Sequence, residues 1–142
     1  MTEIKRSIEI AATNERVWAC VHPENWENIF HFVKNVDGYD AGKSGVGTQA
    51  SIIAGHESTA IKYNVEVTEV TEKTRIAYRR YGGPLVGKGV IQLKSLQSGT
   101  LLKRTSVYDD DLSEETIQSL SEGMEKDNLR IKKMAETTQK MI

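Results

Sequence analysis

Cysteine is almost missing from this sequence: Cys20 is the single one in 142 residues. One thiol cannot close an internal disulfide, which excludes a disulfide-stapled scaffold and fits a reducing compartment. Long apolar runs are missing too. The longest, such as Val17 to Val21, fall far short of the ~20 residues that a spanning helix needs. Met1-Thr2-Glu3-Ile4-Lys5-Arg6 has no apolar stretch behind its charges, so no signal peptide is expected. Net charge is nearly absent: 19 Lys and Arg stand against 20 Asp and Glu, a formal −1. That balance argues against a protein that coats nucleic acid. Apolar side chains are sparse at 38% of the chain. The expectation is one soluble, cytoplasmic domain over residues 1–142, since a domain takes roughly 100–200 residues.

What is present has a clear order. Glu3 to Ile10 alternates, with Ile4, Arg6, Ile8 and Ile10 on one face, as in a half-buried strand. Thr13 can cap a short helix that turns Val17, Trp18 and Val21 inward. Pro23 suits the first turn of a second short helix with Trp26, Ile29 and Phe30. Strands are expected at Val33 to Tyr39, Thr48 to Ala54, Ile61 to Thr68, Arg75 to Tyr81, Val86 to Leu96 and Thr100 to Tyr108. The last two form a hairpin across Ser98-Gly99.

The final third predicts one long helix. Ser113 reads as its N-cap, with Leu112 and Ile117 placed for a hydrophobic staple. Ile117, Leu120, Met124, Asn128, Ile131, Ala135 and Thr138 follow in steps of three and four, one stripe of a helix. From Asp109 to Asp127 eight acids face Lys126 alone, while Arg130, Lys132, Lys133 and Lys140 face only Glu136. That order complements a helix macrodipole. Seven antiparallel strands with segregated helices make an α+β architecture.

Two phosphate-binding patterns fail on context. Gly38 to Ser44 has three residues between its glycines where a P-loop needs four, and Gly45-Val46-Gly47-Thr48-Gln49-Ala50 precedes a strand where a dinucleotide fingerprint precedes a helix. Both are read as hairpin loop. Cys20 and His22 lie two apart on a helix and point different ways, no metal-ligand spacing occurs, and Cys20 sits in an apolar setting that leaves a thiol inert. No metal and no cofactor are expected. His56-Glu57 could form an acid–base pair, but reads more simply as turn surface.

The informative anomaly is arginine on faces that ought to be apolar. Arg6 shares a face with Ile4, Ile8 and Ile10, Arg80 with Ile76 and Tyr78, and Arg104 with Leu102, Ser106 and Tyr108. A buried guanidinium must be paired, because an unpaired one costs several kcal/mol. Each arginine therefore finds a carboxylate, escapes at a sheet edge, or lines a pocket that meets an anionic or oxygen-rich ligand. Tyr63, Tyr78 and Tyr108 would be neighbouring donors in the last case. Met124 and Asn128 suit a helix that closes a cavity, though core packing alone is the commoner explanation of such a stripe.

Ile8 to Trp18, Pro23-Glu24-Asn25-Trp26, Gly42 to Gly47, Val67-Thr68-Glu69-Val70, Ser98 to Leu102 and Gly123 to Lys132, in that order and spacing, resemble the START-like superfamily (helix-grip, Bet v 1-like, SRPBCC), in particular its polyketide cyclase/dehydrase and lipid-transport branch. The resemblance implies a curved antiparallel sheet gripping the long helix around a cavity for a hydrophobic or amphipathic molecule. Its members bind lipids, sterols, quinones or polyketides, and some are aromatase/cyclases. No enzyme-specific catalytic set is matched residue by residue.

The leading expectation is binding, with transport as an extension, of a small hydrophobic or amphipathic ligand. Arg6, Arg80, Arg104, Tyr63, Tyr78 and Tyr108 would fix a polar end, and Leu120, Met124, Asn128 and Ile131 would supply apolar contact. An aromatase/cyclase or dehydratase is the alternative, and a protein-interaction module without ligand is a third. No nucleic acid and no stable membrane insertion are expected, and the chain is expected to be a monomer or weak homodimer.

Overall fold

The structure is a computed structural model and describes residues 1–30, 33–40, 42, 45–54 and 61–140. His31, His56, Glu57 and parts of the Gly42 to Gly47 loop lie outside the described residues, as does the side chain of Thr138.

Seven strands form one antiparallel sheet: β1 (Thr2–Ile10), β2 (Val33–Asp37), β3 (Gln49–Ala54), β4 (Ile61–Thr71), β5 (Arg75–Tyr81), β6 (Gly87–Leu96) and β7 (Gly99–Tyr108). The spatial order is β1-β7-β6-β5-β4-β3-β2, a meander whose last strand is joined by the first. The register runs Thr2 opposite Tyr108 to Ile10 opposite Thr100 on one side of β7, and Gly87 opposite Tyr108 to Leu96 opposite Gly99 on the other. Two short helices, α1 (Asn14–Val21) and α2 (Trp26–Ile29), follow β1, and α3 (Glu114–Lys140) ends the described chain. This is an α+β helix-grip fold: the strand and helix pattern implied α+β, and the family resemblance implied the helix grip.

Local chemistry explains the helix starts. Thr13 accepts from the Arg16 amide at 3.3 Å and caps α1. A single 3-10 turn at Pro23–Asn25 leads into α2, and the Trp26 indole donates to the Val21 carbonyl at 2.9 Å, tying α2 to α1. Ser113 accepts from the Thr116 amide at 3.2 Å, with Leu112 and Ile117 packed below it.

The core is divided. A large cluster joins Ile10, Val17, Trp26, Val67, Ile76, Ile91, Leu102, Ile131 and others. A small one joins Ile4, Leu85, Tyr108 and Met124, with Leu112, Ile117 and Leu120 against it. At about 1.5–3 kcal/mol per fully buried aliphatic side chain, the first cluster supplies most of the driving force. The α3 stripe crosses from one cluster to the other, Leu120 and Met124 touching the small one, Ile131 and Ala135 the large one.

Candidate ligand site

Between the two clusters lies a cavity of about 100 Å³, walled by the inner face of the sheet, by α2 and by α3. Its polar wall is built by register. Tyr78 stands opposite Gly89, and Arg80 opposite Gly87. Across β6, the same two glycines face Ser106 and Tyr108 of β7. With no side chains on β6 at these positions, residues of β5 and β7 meet over it. A Cβ built on Gly89 would lie 2.5 Å from Tyr78 Cε2 and nearer still to Cζ and the hydroxyl. Glycine in a strand marks such a close approach.

Arg80 is buried, 6% exposed. It donates to the Ser106 hydroxyl at 2.8 Å, to the Lys88 carbonyl at 3.0 Å and to the Tyr78 hydroxyl at 3.4 Å. Its guanidinium lies 4.5 Å from the Tyr108 ring centroid and 5.3 Å from that of Tyr78. Hydrogen bonds and aromatic faces thus surround this cation.

Arg104, 7% exposed, has the opposite balance. Its Nη1 stands 3.6 Å from Asp127 Oδ2 on α3, an ion pair in which both side chains are 9% exposed. The guanidinium also stacks 4.8 Å from the Phe30 centroid. Yet Nε and Nη1 have no hydrogen-bond acceptor. Arg104 is compensated in charge but not in hydrogen bonding at Nε and Nη1, and an unmade buried hydrogen bond costs about 1–3 kcal/mol.

The phenols respond to these cations. Burial alone would raise the Tyr78 pKa, but Arg80 and then Arg104 outweigh it and hold the phenol below its ordinary value. At Tyr63 burial wins over Arg80, and the phenol is pushed up to about 12. Tyr108 is raised by burial as well, with Arg80 opposing. Tyr78 is therefore the most readily ionised of the three.

The structure brings together Tyr63, Tyr78, Arg80, Arg104, Tyr108, Leu120 and Met124 around this cavity. Arg6, Asn128 and Ile131 are not among its lining residues. Arg6 does point to the α3 side and stands opposite Arg104 in register, but β1 is a sheet edge. Its side chain is 40% exposed and bonds Glu125 at 3.0 Å and the Lys5 carbonyl at 2.6 Å. Asn128 is buried with Oδ1 unbonded, and Ile131 packs in the large cluster. Trp26, Phe30, Ser106, Gly123 and Asp127 also line the cavity and were not singled out from the sequence as site residues. The alternating Gly87-Lys88-Gly89 inside a strand was the available signal for the bare patch that Ser106 and Tyr78 use. A second depression, about 430 Å³ at Ala11 to Asn14 and Ser95 to Gly99, is a surface groove without charged lining residues.

Among the described residues no cluster of three or more His, Cys, Asp or Glu could hold a metal ion, and no helix is long and apolar enough to cross a membrane.

A long helix held against an antiparallel sheet, with a polar-tipped cavity between them, defines the helix-grip class of α+β proteins. Within that class the chain belongs to the family described as polyketide cyclase / dehydrase and lipid transport, whose pattern matches residues 1–136. Fold and family together make it a ligand-binding or polyketide cyclase/dehydrase-type protein. Solved structures agree on the fold. Similar ones include the Thermus thermophilus protein TTHA0849 (TM-score 0.77, 16% identity, 96% of this chain and 99% of that one). Ara h 8.0201 gives TM-score 0.73 at 13% identity over 96% and 98%. DynU16, a protein from the dynemicin biosynthetic locus, gives TM-score 0.73 at 15% identity over 96% of this chain and 48% of its own. No curated protein matches the sequence.

Proposed function

We propose that this protein binds a small amphipathic molecule by an acidic or oxygen-rich end, placed at Arg104 and Arg80. The observation that carries this reading is Arg104: a buried guanidinium on the cavity wall with two nitrogens that lack acceptors. Among the described lining residues two arginines face one aspartate, so the site favours an anion. Trp26, Phe30, Leu120 and Met124 would receive the apolar part. This matches the general pattern of pockets that are mostly apolar with a few placed polar groups.

Size constrains the ligand. A dry cavity of about 150 Å³ accepts benzene, so about 100 Å³ holds a head group and little more. A lipid, quinone or polyketide tail therefore requires Met124 and Leu120 to give way. Methionine is the side chain best able to do so.

The test is a thermal-shift screen of fatty acids, quinones and aromatic polyketides, repeated on Arg104→Met. An acidic ligand should raise the melting temperature of the native chain. Arg104→Met should keep the fold and weaken that ligand by roughly 1.5–3 kcal/mol, the range for a hydrogen bond to a charged group. If nothing in the screen raises the melting temperature, the reading fails.

A second reading rests on Tyr78. A phenol held below its ordinary pKa between two guanidiniums could give or take a proton at an enolising carbonyl, as an aromatase/cyclase or dehydratase requires. Turnover of a poly-β-keto chain that disappears in Tyr78→Phe would favour it over binding alone.

A further inference from the structure

We infer that Asp127 is a tethered competitor for the ligand's anionic end, and that this residue sets how strongly the site prefers acidic over neutral ligands. The inference rests on the reading that Arg104 receives that end.

Asp127 follows Met124 by three residues and Leu120 by seven, so it enters the cavity on the same side of α3. Its carboxylate is as buried as the guanidinium it faces, at 9% each. A buried ion pair stabilises a fold only when its geometry offsets the desolvation of both ions. Charge-assisted bonds that do so are about 2.7–2.9 Å long. Here the separation is 3.6 Å, too long for a hydrogen bond. Asp127 therefore neutralises Arg104 and leaves Nε and Nη1 open toward another acceptor.

A ligand oxyanion arriving at those nitrogens finds a second anion already beside the same guanidinium. Two like charges a few ångströms apart in a site of low polarity oppose each other by several-fold to many-fold in affinity. A neutral hydroxyl or carbonyl meets no such opposition, and Asp127 can even accept from a hydroxyl. Asp127 thus lowers affinity for acids without blocking the pocket. Arg80 carries no equivalent brake, because its partners are Ser106, the Lys88 carbonyl and aromatic rings.

The experiment uses benzoate and benzyl alcohol as probes, matched in shape, whose head groups fit the cavity and whose rings need the room that Met124 and Leu120 can give. Binding is followed by NMR chemical-shift titration of the full chain, in the native protein, Asp127→Asn and Arg104→Gln. Asp127→Asn is expected to tighten benzoate about tenfold and to change benzyl alcohol by less than about twofold. In the native protein, saturation with benzoate should move the Arg104 Nε–H resonance. If Arg104→Gln loses benzoate while Asp127→Asn leaves it unchanged or weaker, Asp127 is only a structural partner, and the inference falls while the proposed function stands. If benzoate binds none of the three, both fall. Should Asp127→Asn fail to fold, Asp127→Ser replaces it. A native Arg104 Nε–H that stays still at saturating benzoate overturns the inference by itself.

Discussion

Adding one methyl group at Gly89 should disturb the site more than most larger changes elsewhere. The new Cβ would sit 2.5 Å from Tyr78 Cε2 and closer to the ring's outer end, so the ring must leave its place. Tyr78 is 9% exposed and packs edge-on against Trp26, with ring centroids 5.7 Å apart. Overpacking of this kind costs about 1–3 kcal/mol. The ring's nearest free space is the cavity of about 100 Å³, so Gly89→Ala should fill the pocket with the phenol it normally carries on its wall. Two assays follow from this. Urea denaturation should show a loss of about 2 kcal/mol, and an acidic ligand should no longer raise the melting temperature. The control is Tyr78→Val, which removes the ring. In that background Gly89→Ala should cost under about 0.5 kcal/mol, an interaction energy typical of residues in direct contact. Equal costs with and without the ring would refute the claim that Gly89 exists to seat Tyr78.

Three further outcomes can be checked independently. Tyr63, raised by burial to about 12, prefers its neutral form when folded, so it stabilises the fold fully below the ordinary phenol pKa near 10 and loses that contribution as pH rises toward 12. Denaturant melts between pH 9 and 12 should fall more steeply for the native chain than for Tyr63→Phe, by up to about 2–3 kcal/mol, while absorbance at 295 nm should show one phenol, lost in Tyr78→Phe, ionising ahead of the rest. Thr100 is fully buried, its hydroxyl 2.8 Å from the Ala12 carbonyl and 2.7 Å from Asn14 Oδ1, where it ties β7 to the start of α1. Thr100→Val should cost about 1–3 kcal/mol, measured by the same melts, and an unchanged midpoint would show that water replaces the hydroxyl.

Much of this fold was legible because its signals are local. Arg75 to Tyr81 alternates so cleanly that the predicted and observed strands coincide, and the staple of Leu112 and Ile117 fixes the start of α3. The arginines were legible as an anomaly for the same reason, since period two assigns a face. A face is not a depth, however. Arg6, Arg80 and Arg104 share the inner side of the sheet, yet Arg6 lies on the edge strand with Glu125 above it, and only the strand order reveals that. The helix stripe has the same limit. Leu120 and Ile131 belong to one stripe, but α3 runs across the sheet, so one meets the cavity and the other solid core. Asp127 escaped notice because it counts toward the acidic half of α3, where a charge normally faces water. Its burial depends on β7 placing Arg104 beneath it.

The pairing of the first strand with the last has a consequence for how the protein comes into being. β1 leaves the ribosome early, but its partner β7 begins at Gly99, and Thr2 cannot meet Tyr108 until nearly the whole sheet has been made. Until then β1 is an unpaired strand with Ile4, Ile8 and Ile10 on one side, an invitation to wrong partners. The cavity is completed later still, because Asp127 on α3 closes it. No fragment ending before that helix contains the closed cavity, so under the proposed function nascent chains would not sequester ligand, and ligand would stabilise only molecules whose synthesis has passed α3.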